Sequence, residues 1–268
     1  MRAITLEYHD VLNTPDFGAS GFGGAAANSY KMTLADFNAH LLTLRGRAGA
    51  GIDVRLVAPG PAPVLITFDD GGVSALVVTA PALERHGFVG HFFMTTAQLG
   101  APTFCTADNL RELVRRGHVV GSHSHSHPVR MARLSDAELD SEWKVSFGIL
   151  SELLGAPATV ASVPGGYFSD RVARSAARAG IRFLFTSEPI ATMTQVNDCQ
   201  VLGRYTLRRW SPPGEVTSLV GSLGAARARQ WILWNAKKAA KTIAGDTYLR
   251  LRASILGNTP SAPPSAPG

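Results

Sequence analysis

Two short segments of the chain carry side chains that could hold a metal ion and move a proton. In the first, an apolar run from Val64 to Phe68 leads directly into Asp69 and Asp70, and two glycines follow. Because glycine permits a sharp turn at the end of a strand, the two carboxylates could enter one cavity in different roles. Asp-Gly is also common in turns, where the aspartate caps the following helix, so this segment alone leaves both interpretations open.

The second segment places His123, His125 and His127, three of the eight histidines, within five residues. Imidazole is the commonest metal ligand in proteins, and two imidazoles with one carboxylate leave coordination positions open for water and substrate. A spacing of four puts His123 and His127 on one face of a helical turn, whereas an extended chain would put all three on one face. A solvated loop of histidines and serines is the alternative.

Together, these side chains suit the hydrolysis of an amide near neutral pH. A metal ion held by three protein ligands lowers the pKa of a bound water from about 15.7 toward about 7, and it polarises the carbonyl group. A neighbouring carboxylate that does not bind the ion can take the proton of that water. Asp69 and Asp70 supply one acid for each of these two tasks.

The order of the two motifs adds specificity. A predicted strand that ends in Thr-Phe-Asp-Asp-Gly, followed by one that ends in His-Ser-x-x-His-Pro, resembles the polysaccharide deacetylases of carbohydrate esterase family four, the NodB-homology superfamily. The resemblance covers residues 1–210 and implies an α/β fold, a distorted barrel of about seven β/α units with one divalent metal ion, usually zinc. By that resemblance Asp70, His123 and His127 are the metal ligands and Asp69 is the catalytic base. His125 falls where relatives place a residue that is not a ligand.

The third motif of the family departs from its usual pattern. The corresponding segment runs from Ser162 to Tyr167, with Ser162 where relatives have the arginine that orients the base. By the resemblance, the backbone N–H of Gly165 is the candidate for supporting an oxyanion, and Tyr167 is a candidate substrate contact. Arg204, on a later predicted strand, is the candidate replacement for the missing arginine, although a purely structural role is the alternative.

The family's late Leu-x-His motif, whose histidine protonates the leaving amine, is missing, because no histidine follows His127. Tyr8, His9 and Asp10, at the end of the first predicted strand, resemble the Tyr-His-Asp of the deacetylases of biofilm poly-N-acetylglucosamine. In those relatives a histidine near the N-terminus looks like the replacement acid. The resemblance therefore assigns His9 the role of the catalytic acid.

The elements that must position these residues alternate between short β-branched runs and longer helical patterns. This alternation predicts a parallel sheet, either open and doubly wound or closed into a barrel, with the site at the carboxyl ends of its strands. Residues 10–30, rich in Gly, Ala, Asn and Pro, predict a long loop or a mobile lid over the site. Strands are predicted at 4–9, 64–68, 91–95, 118–122, 159–163, 182–186 and 201–207, and helices near 33–46, 74–86, 107–116, 135–154 and 169–179.

Composition and charge exclude several classes of protein. With 268 residues, 45% hydrophobic and 17% charged, the chain is neither disordered nor fibrous, and no stretch has the roughly 20 apolar residues that span a bilayer. Residues 221–252 contain seven Lys or Arg and one Asp, so they account for the whole net charge of +6. A nucleic-acid-binding barrel is therefore not expected. Cys105 and Cys199 are too few for a disulfide framework and are expected to be reduced thiols.

The C-terminal part predicts a separate segment. Residues 1–220 are expected to form the catalytic barrel, 221–257 a basic amphipathic helical segment, and 258–268 a disordered tail of Pro, Ser, Ala and Gly. Trp231 and Trp234, close to Lys237, Lys238 and Lys241, suit peripheral contact with a membrane surface. The alternative is a terminal helix that packs its tryptophans on the barrel.

These observations lead to one expected function and two alternatives. The expected function is a metal-dependent amidohydrolase that removes N-acetyl groups from an N-acetylated sugar in a polysaccharide or its lipid-linked precursor. A charged residue, Glu7, precedes any signal-peptide apolar region, so the expected location is cytoplasmic, at the inner face of the membrane. One alternative is a deformylase or deacylase of a lipid-linked amino sugar or other non-peptide amide. The other is a carbohydrate-binding relative that has lost catalysis.

Overall fold

The computed structural model describes residues 1–166, 168–236 and 238, and its main element is a row of parallel strands. The strands are β1 (Ile4–Tyr8), β2 (Val11–Leu12), β3 (Met32–Thr33), β4 (Val64–Phe68), β5 (Gly90–Met94), β6 (Val119–Ser122), β7 (Val160–Ser162), β8 (Phe183–Phe185), β9 (Thr194–Val196), β10 (Cys199–Leu202) and β11 (Tyr205–Thr206). The helices are α1 (Ala25–Asn28), α2 (Leu34–Leu44), α3 (Ala80–Glu84), α4 (Ala107–Arg115), α5 (Asp136–Leu154), α6 (Asp170–Ala179) and α7 (Pro213–Val220).

The sheet curls into a distorted barrel. Nine strands are hydrogen-bonded in the order β11-β1-β4-β5-β6-β7-β8-β10-β9, and every pair is parallel except β9 with β10. β10 pairs with β8, and β11 pairs with β1 at the other end of the row. Only Gly203 and Arg204 separate β10 from β11, so one short segment of chain links β11, at one end of the row, to the strand next to the other end. The predicted fold class, an α/β barrel of about seven units, is confirmed.

The predicted strand at 201–207 is the least regular of the seven. It is interrupted at Gly203, where an added Cβ would lie 2.2 Å from the carbonyl oxygen of Glu188. Only glycine allows this close approach, and the backbone N–H of Arg204 donates to the same carbonyl at 2.9 Å. The interruption lets the segment leave β8 and join β1, because β10 and β11 no longer need to share one straight axis.

Helices cover the outside of the barrel at the predicted places. α5 begins with a capping box in which the Ser135 hydroxyl accepts from the Glu138 N–H and the Glu138 carboxylate accepts from the Ser135 N–H. It ends at Gly155, whose φ of 65° is left-handed. Trp143 of this helix is fully buried in the core. The predicted helix at 74–86 starts as a π-helical turn over Ala75–Thr79 and continues as α3.

The sequence patterns missed several short elements. α1 and β2 lie inside residues 10–30, and β2 pairs with β3 in a separate two-stranded sheet. α7 and β9 were also not predicted, whereas the helix over residues 225–236 falls inside the segment 221–257 that was predicted as helical. Both cysteines are buried and free, as expected for reduced thiols. In the described part of the chain, no helix has the length and hydropathy needed to cross a bilayer.

Candidate active site

Three parallel strands of the sheet, β1, β4 and β6, deliver the candidate residues to one edge of the barrel. β1 ends immediately before His9, β4 immediately before Asp69 and Asp70, and β6 immediately before His123. β1, β4, β5 and β6 are consecutive parallel neighbours, so their carboxyl ends share one edge. The backbone strengthens this arrangement, because the N–H of Asp69 donates to the carbonyl of Tyr8 at 3.1 Å and that of His123 to the carbonyl of Met94 at 2.8 Å.

Asp70, His123 and His127 converge as a set of possible metal ligands. One ligand atom of each lies within 4.8 Å of the others. Asp70 Oδ1 lies 3.7 Å from His123 Nε2 and 3.6 Å from His127 Nε2. Zinc binds imidazole nitrogen and carboxylate oxygen at about 2.0–2.2 Å. Small adjustments of these side chains would therefore let all three bind one ion. The donor set, one carboxylate and two imidazoles, fits a divalent ion with open positions for water and substrate.

Two of these three residues hold unusual backbone conformations. Asp70 has a φ of 77° and His127 a φ of 58°, and both values are left-handed. Such conformations are uncommon in residues other than glycine and concentrate at functional sites. At Gly71, which follows Asp70, a Cβ would lie 2.8 Å from the sulfur and 3.2 Å from the Cα of Met94. The two glycines after the aspartates therefore serve the close packing of this turn as well as its direction.

Ser162 connects a metal-ligand candidate with the candidate base. Its hydroxyl lies 2.6 Å from His123 Nδ1 and donates to Asp69 Oδ1 at 3.0 Å. The Ser162 carbonyl oxygen is also 3.2 Å from His123 Nδ1. With the proton on Nδ1, the histidine donates to Ser162 and its Nε2 is left free to bind a metal ion. The sequence marked Ser162 only as a missing arginine.

Arg204 binds Asp69 with both of its terminal nitrogens. Nη1 donates to Oδ1 at 2.7 Å and Nη2 to Oδ2 at 2.8 Å, and the guanidinium is fully buried. Nη2 also lies 2.9 Å from Oε1 of Glu7, a buried acid in β1. The arginine proposed from sequence as the partner of the base is therefore in contact with it. Glu7 was not predicted, although a charged residue inside the apolar run from Ile4 to Tyr8 was a usable signal.

The electrostatics of the two aspartates differ although they are adjacent. Burial alone would raise the pKa of Asp69, but the charge and hydrogen bonds of Arg204, together with the charges of His123 and His9, outweigh burial and hold that pKa well below its usual range. For Asp70, burial dominates and raises the pKa. Burial also lowers the pKa of His123 to about 3, which favours the neutral imidazole that a metal ion requires. Asp69 is thus ionised and firmly held, and the cavity around it would accept a cation.

His9 joins the site from the end of β1. It is half-buried, its ring centroid lies 4.8 Å from that of Tyr30, and its charge acts on both Asp69 and Asp70. Its Nδ1 is buried and makes no hydrogen bond within the described part of the chain. A side chain beside both carboxylates with an unused buried nitrogen could exchange a proton with a bound substrate.

The remaining residues singled out in the sequence are Gly165, Tyr167 and His125. Gly165 is exposed in the turn after β7 and has a left-handed φ of 65°. Tyr167 lies outside the described residues. His125 is not part of the ligand set, and its Nδ1 instead lies 3.0 Å from the hydroxyl of Thr96.

Residues 10–31 cover one side of the site and are anchored by a buried lysine. Lys31 is fully buried and donates to the carbonyls of Phe17, Ser20 and Phe22 at 2.5–2.8 Å. It also lies 3.8 Å from Asp10. The ring of Phe22 lies 4.9 Å from that of His127. The loop predicted over the site is therefore present, and it is fastened beside a candidate metal ligand.

Comparison with known proteins agrees with this site. The family model described as polysaccharide deacetylase matches residues 57–184, which contain both aspartates and the histidine cluster. Residues 57–184 are therefore similar to polysaccharide deacetylases. Among curated proteins, this chain is 24% identical over 173 residues to the protein named "Putative polysaccharide deacetylase YxkH" of Bacillus subtilis (strain 168). It is also 29% identical over 118 residues to a chitin deacetylase of Arthroderma benhamiae.

Those alignments span 62% and 30% of the two relatives, and 62% and 42% of this chain. Solved structures share the fold over more of their length. A Streptococcus pyogenes deacetylase, PplD, in complex with acetate is 19% identical with a TM-score of 0.68, covering 82% of this chain and 99% of that one. IcaB from Ammonifex degensii is 21% identical with a TM-score of 0.64, covering 84% of this chain and 97% of that one.

Proposed function

We propose that the chain is a metal-dependent amidohydrolase that removes N-acetyl groups from an N-acetylated sugar, in a polysaccharide or its lipid-linked precursor. The observation that carries the proposal is the division of labour at the end of β4. Asp70 belongs to the set of possible metal ligands with His123 and His127, whereas Asp69 is outside that set and is held ionised by Arg204. The match of residues 57–184 to the polysaccharide deacetylase model and the name of the chitin deacetylase relative support the same reaction.

The residues would divide the reaction as follows. A divalent ion, which we take to be zinc, bound by Asp70, His123 and His127 would polarise the acetyl carbonyl and lower the pKa of water. The Asp69 carboxylate would take a proton from the attacking water, and its two hydrogen bonds from Arg204 fix the direction of its oxygens. The turn that contains Gly165, beside Ser162, would supply a backbone N–H to the oxyanion, and Tyr167 would contact the sugar.

His9 would give a proton to the leaving amine. The sequence after His127 contains no histidine that could take this role instead. We expect His9→Ala to lower kcat by about a hundredfold or more while bound metal stays near one ion per chain. Normal turnover in this variant would remove His9 from the mechanism.

Metal analysis separates the ligand set from its neighbours. Purified protein is dialysed against zinc, then against buffer, and the bound metal and the acetate released from N-acetylglucosamine oligomers are measured with and without chelator. We expect His123→Ala and His127→Ala to lose both, whereas His125→Ala, the matched control from the same motif, keeps both. Asp69→Asn should keep the metal and lose turnover, and an equal loss of metal in Asp69→Asn and Asp70→Asn would contradict the assigned division of roles.

Product analysis decides between acetyl groups and other acyl groups. Acetate release from N-acetylglucosamine oligomers would support the proposed reaction, whereas formate release from N-formyl sugars alone would replace it by deformylation. Zinc binding without release of any acid from either panel would favour a carbohydrate-binding protein. The contact of Arg204 with Asp69 argues for catalysis, because binding a sugar does not require an ionised buried carboxylate.

Contact with a membrane surface through residues 221–257 is a further part of the proposal. The helix over residues 225–236 turns polar side chains toward the barrel, where the Gln230 amide donates to the Thr206 carbonyl at 3.1 Å. Its apolar Trp231, Ile232 and Leu233 are exposed by 50, 58 and 47%. The sequence that follows is basic, which complements the negative surface of the cytoplasmic leaflet. We therefore assign the chain to that face of the membrane.

Liposome sedimentation tests this contact. We expect the full chain to bind vesicles that contain phosphatidylglycerol and to bind neutral phosphatidylcholine vesicles less. Ile232→Ser with Leu233→Ser should weaken binding, whereas Leu56→Ser, at an exposed apolar position elsewhere, should not. Equal binding by all three proteins would contradict the assignment.

A further inference from the structure

An aromatic and cationic surface adjoins the candidate active site at the ends of β1 and β11. It consists of Tyr30, Arg208, Arg209 and Trp210, which we call the Trp210 surface. The ring of Trp210 is 63% exposed, a large fraction for the largest apolar side chain. Exposed aromatic rings beside polar donors are typical of binding sites.

This surface is continuous with the site through a series of ring contacts. The His9 ring centroid lies 4.8 Å from that of Tyr30, and the Arg208 guanidinium lies 4.3 Å from the Tyr30 ring. Arg208 also donates to the Tyr30 hydroxyl at 3.0 Å and lies 5.6 Å from the ring of Trp210. A ligand that leaves the site past His9 would therefore meet the Trp210 surface next.

The turn that carries Trp210 is fixed in place. The N–H of Ser211 donates to the Arg208 carbonyl at 2.9 Å, and the Ser211 carbonyl lies 2.9 Å from Nε2 of the buried His40. The N–H of Arg209 donates to the Ser29 carbonyl at 3.2 Å. A turn whose backbone is already fixed loses little conformational entropy on binding, which favours its use as a contact surface.

We propose that the Trp210 surface binds the sugar rings that neighbour the one being deacetylated. The flat apolar face of a pyranose can stack on the Trp210 ring, while the guanidiniums of Arg208 and Arg209 donate hydrogen bonds to its hydroxyl oxygens. The inference rests on the proposed function and narrows its substrate class to oligosaccharides long enough to reach from His9 to Trp210. A single N-acetylated sugar would fill the site without touching this surface.

Chain-length dependence of the kinetics tests the inference. Acetate release by the zinc-loaded full chain is measured with monomeric N-acetylglucosamine and with its β-linked pentamer. We expect Trp210→Ala to raise KM for the pentamer about tenfold, with kcat and the monomer KM unchanged. Trp210→Phe should restore most of the pentamer affinity, because it retains an aromatic face. Leu56→Ala, at an exposed apolar position, is the matched control.

The outcomes separate this inference from the proposed function. Acetate release with equal pentamer KM in wild type and Trp210→Ala would overturn the inference and leave the function standing. If the wild type releases no acetate, the proposed function fails, and calorimetry with the same pentamer then decides the inference alone. Pentamer binding that weakens about tenfold in Trp210→Ala would support the surface, and unchanged binding would overturn it.

Discussion

Ser162 shows how one side chain can serve two functional groups. Its hydroxyl lies between His123 Nδ1 and Asp69 Oδ1, so it can accept from the imidazole and donate to the carboxylate at the same time. The resemblance to the polysaccharide deacetylases leads one to expect an arginine at this position of the motif, and here Arg204 reaches Asp69 from another strand. A small residue at position 162 leaves room for that approach, which explains how the two departures from the family pattern belong together.

We predict that Ser162→Ala weakens zinc binding about tenfold, because partners of a ligand's second nitrogen orient it and tune its basicity. The loss should be moderate, since the backbone carbonyl of residue 162 can still accept from His123 Nδ1. The measurement is zinc competition with a chromophoric chelator. Ser175→Ala, which removes a buried hydroxyl bonded to Asp140, is the control and should bind zinc as the wild type does. Identical affinities in the two variants would contradict this role for Ser162.

Arg204 neutralises two buried acids, Asp69 and Glu7. Removing the guanidinium leaves both carboxylates buried without their partner, so we predict that Arg204→Leu lowers the free energy of unfolding by about 3–5 kcal/mol. Adding Glu7→Gln to this variant should recover part of the loss, because one uncompensated charge disappears. Urea unfolding of the single and double variants measures the effect. A double variant less stable than Arg204→Leu would contradict the charge argument.

At the scale of elements, the segment from Asp10 to Lys31 is held by buried polar groups rather than by a large apolar core. The Asp10 carboxylate accepts from the hydroxyls of Ser20 and Ser74 at 2.6 and 2.7 Å, and Lys31 lies on its other side. At Gly72 a Cβ would lie 2.0 Å from Asp10 Oδ1, so the second glycine of the aspartate motif makes room for this anchor. The cover of the site and its metal-ligand turn are therefore built against each other.

We predict that Lys31→Met lowers the free energy of unfolding by about 3–5 kcal/mol, because it leaves Asp10 buried without its cation. Amide hydrogen exchange in residues 16–24 should accelerate, since three carbonyls of this segment lose their donor. Arg55→Ala, which removes an exposed partner of Asp53, is the control and should change stability by less than about 1 kcal/mol. Unchanged exchange in residues 16–24 would show that Lys31 does not anchor the loop.

The sequence predicted local elements better than the contacts between them. Helix ends at Gly155 and the capping box at Ser135 depend on neighbours in the chain, so their signals are local. The pairing of Arg204 with Asp69 joins residues 135 apart, and only the resemblance to a family with an arginine there made it a candidate. Lys31 offered no such signal, because a lysine next to a loop is normally solvated and only the fold buries it.

At the scale of the whole molecule, the barrel buries histidines away from the site in their neutral form. Burial lowers the pKa of His40 and of His118, and it lowers that of His91 to about 4. The two ring nitrogens of His91 are both used, because Nε2 accepts from the Val54 N–H at 3.0 Å and Nδ1 lies 3.1 Å from the Ile66 carbonyl. Protonation would cost the first of these bonds and place a charge in the core.

These imidazoles make the stability of the fold depend on pH. An unfolded histidine binds a proton below about pH 6.5, whereas folded His91 stays neutral down to about 4, so the unfolded state binds more protons in this window. Stability should therefore fall as the pH drops from about 6.5 to about 4, with His91 contributing about 1.4 kcal/mol per pH unit. Urea unfolding in chelator at several pH values measures the slope without a contribution from metal release.

His91→Gln isolates this contribution. The variant should be less stable than the wild type at pH 7, because it loses the hydrogen bonds that the imidazole makes with the Val54 N–H and the Ile66 carbonyl. Its stability should nevertheless fall less steeply with decreasing pH, by about 1.4 kcal/mol per unit, since one proton acceptor of the unfolded state is gone. Phe93→Leu, which changes a fully buried side chain without a titratable group, should lose stability and keep the wild-type slope. Parallel slopes for His91→Gln and the wild type would mean that His91 does not couple folding to pH.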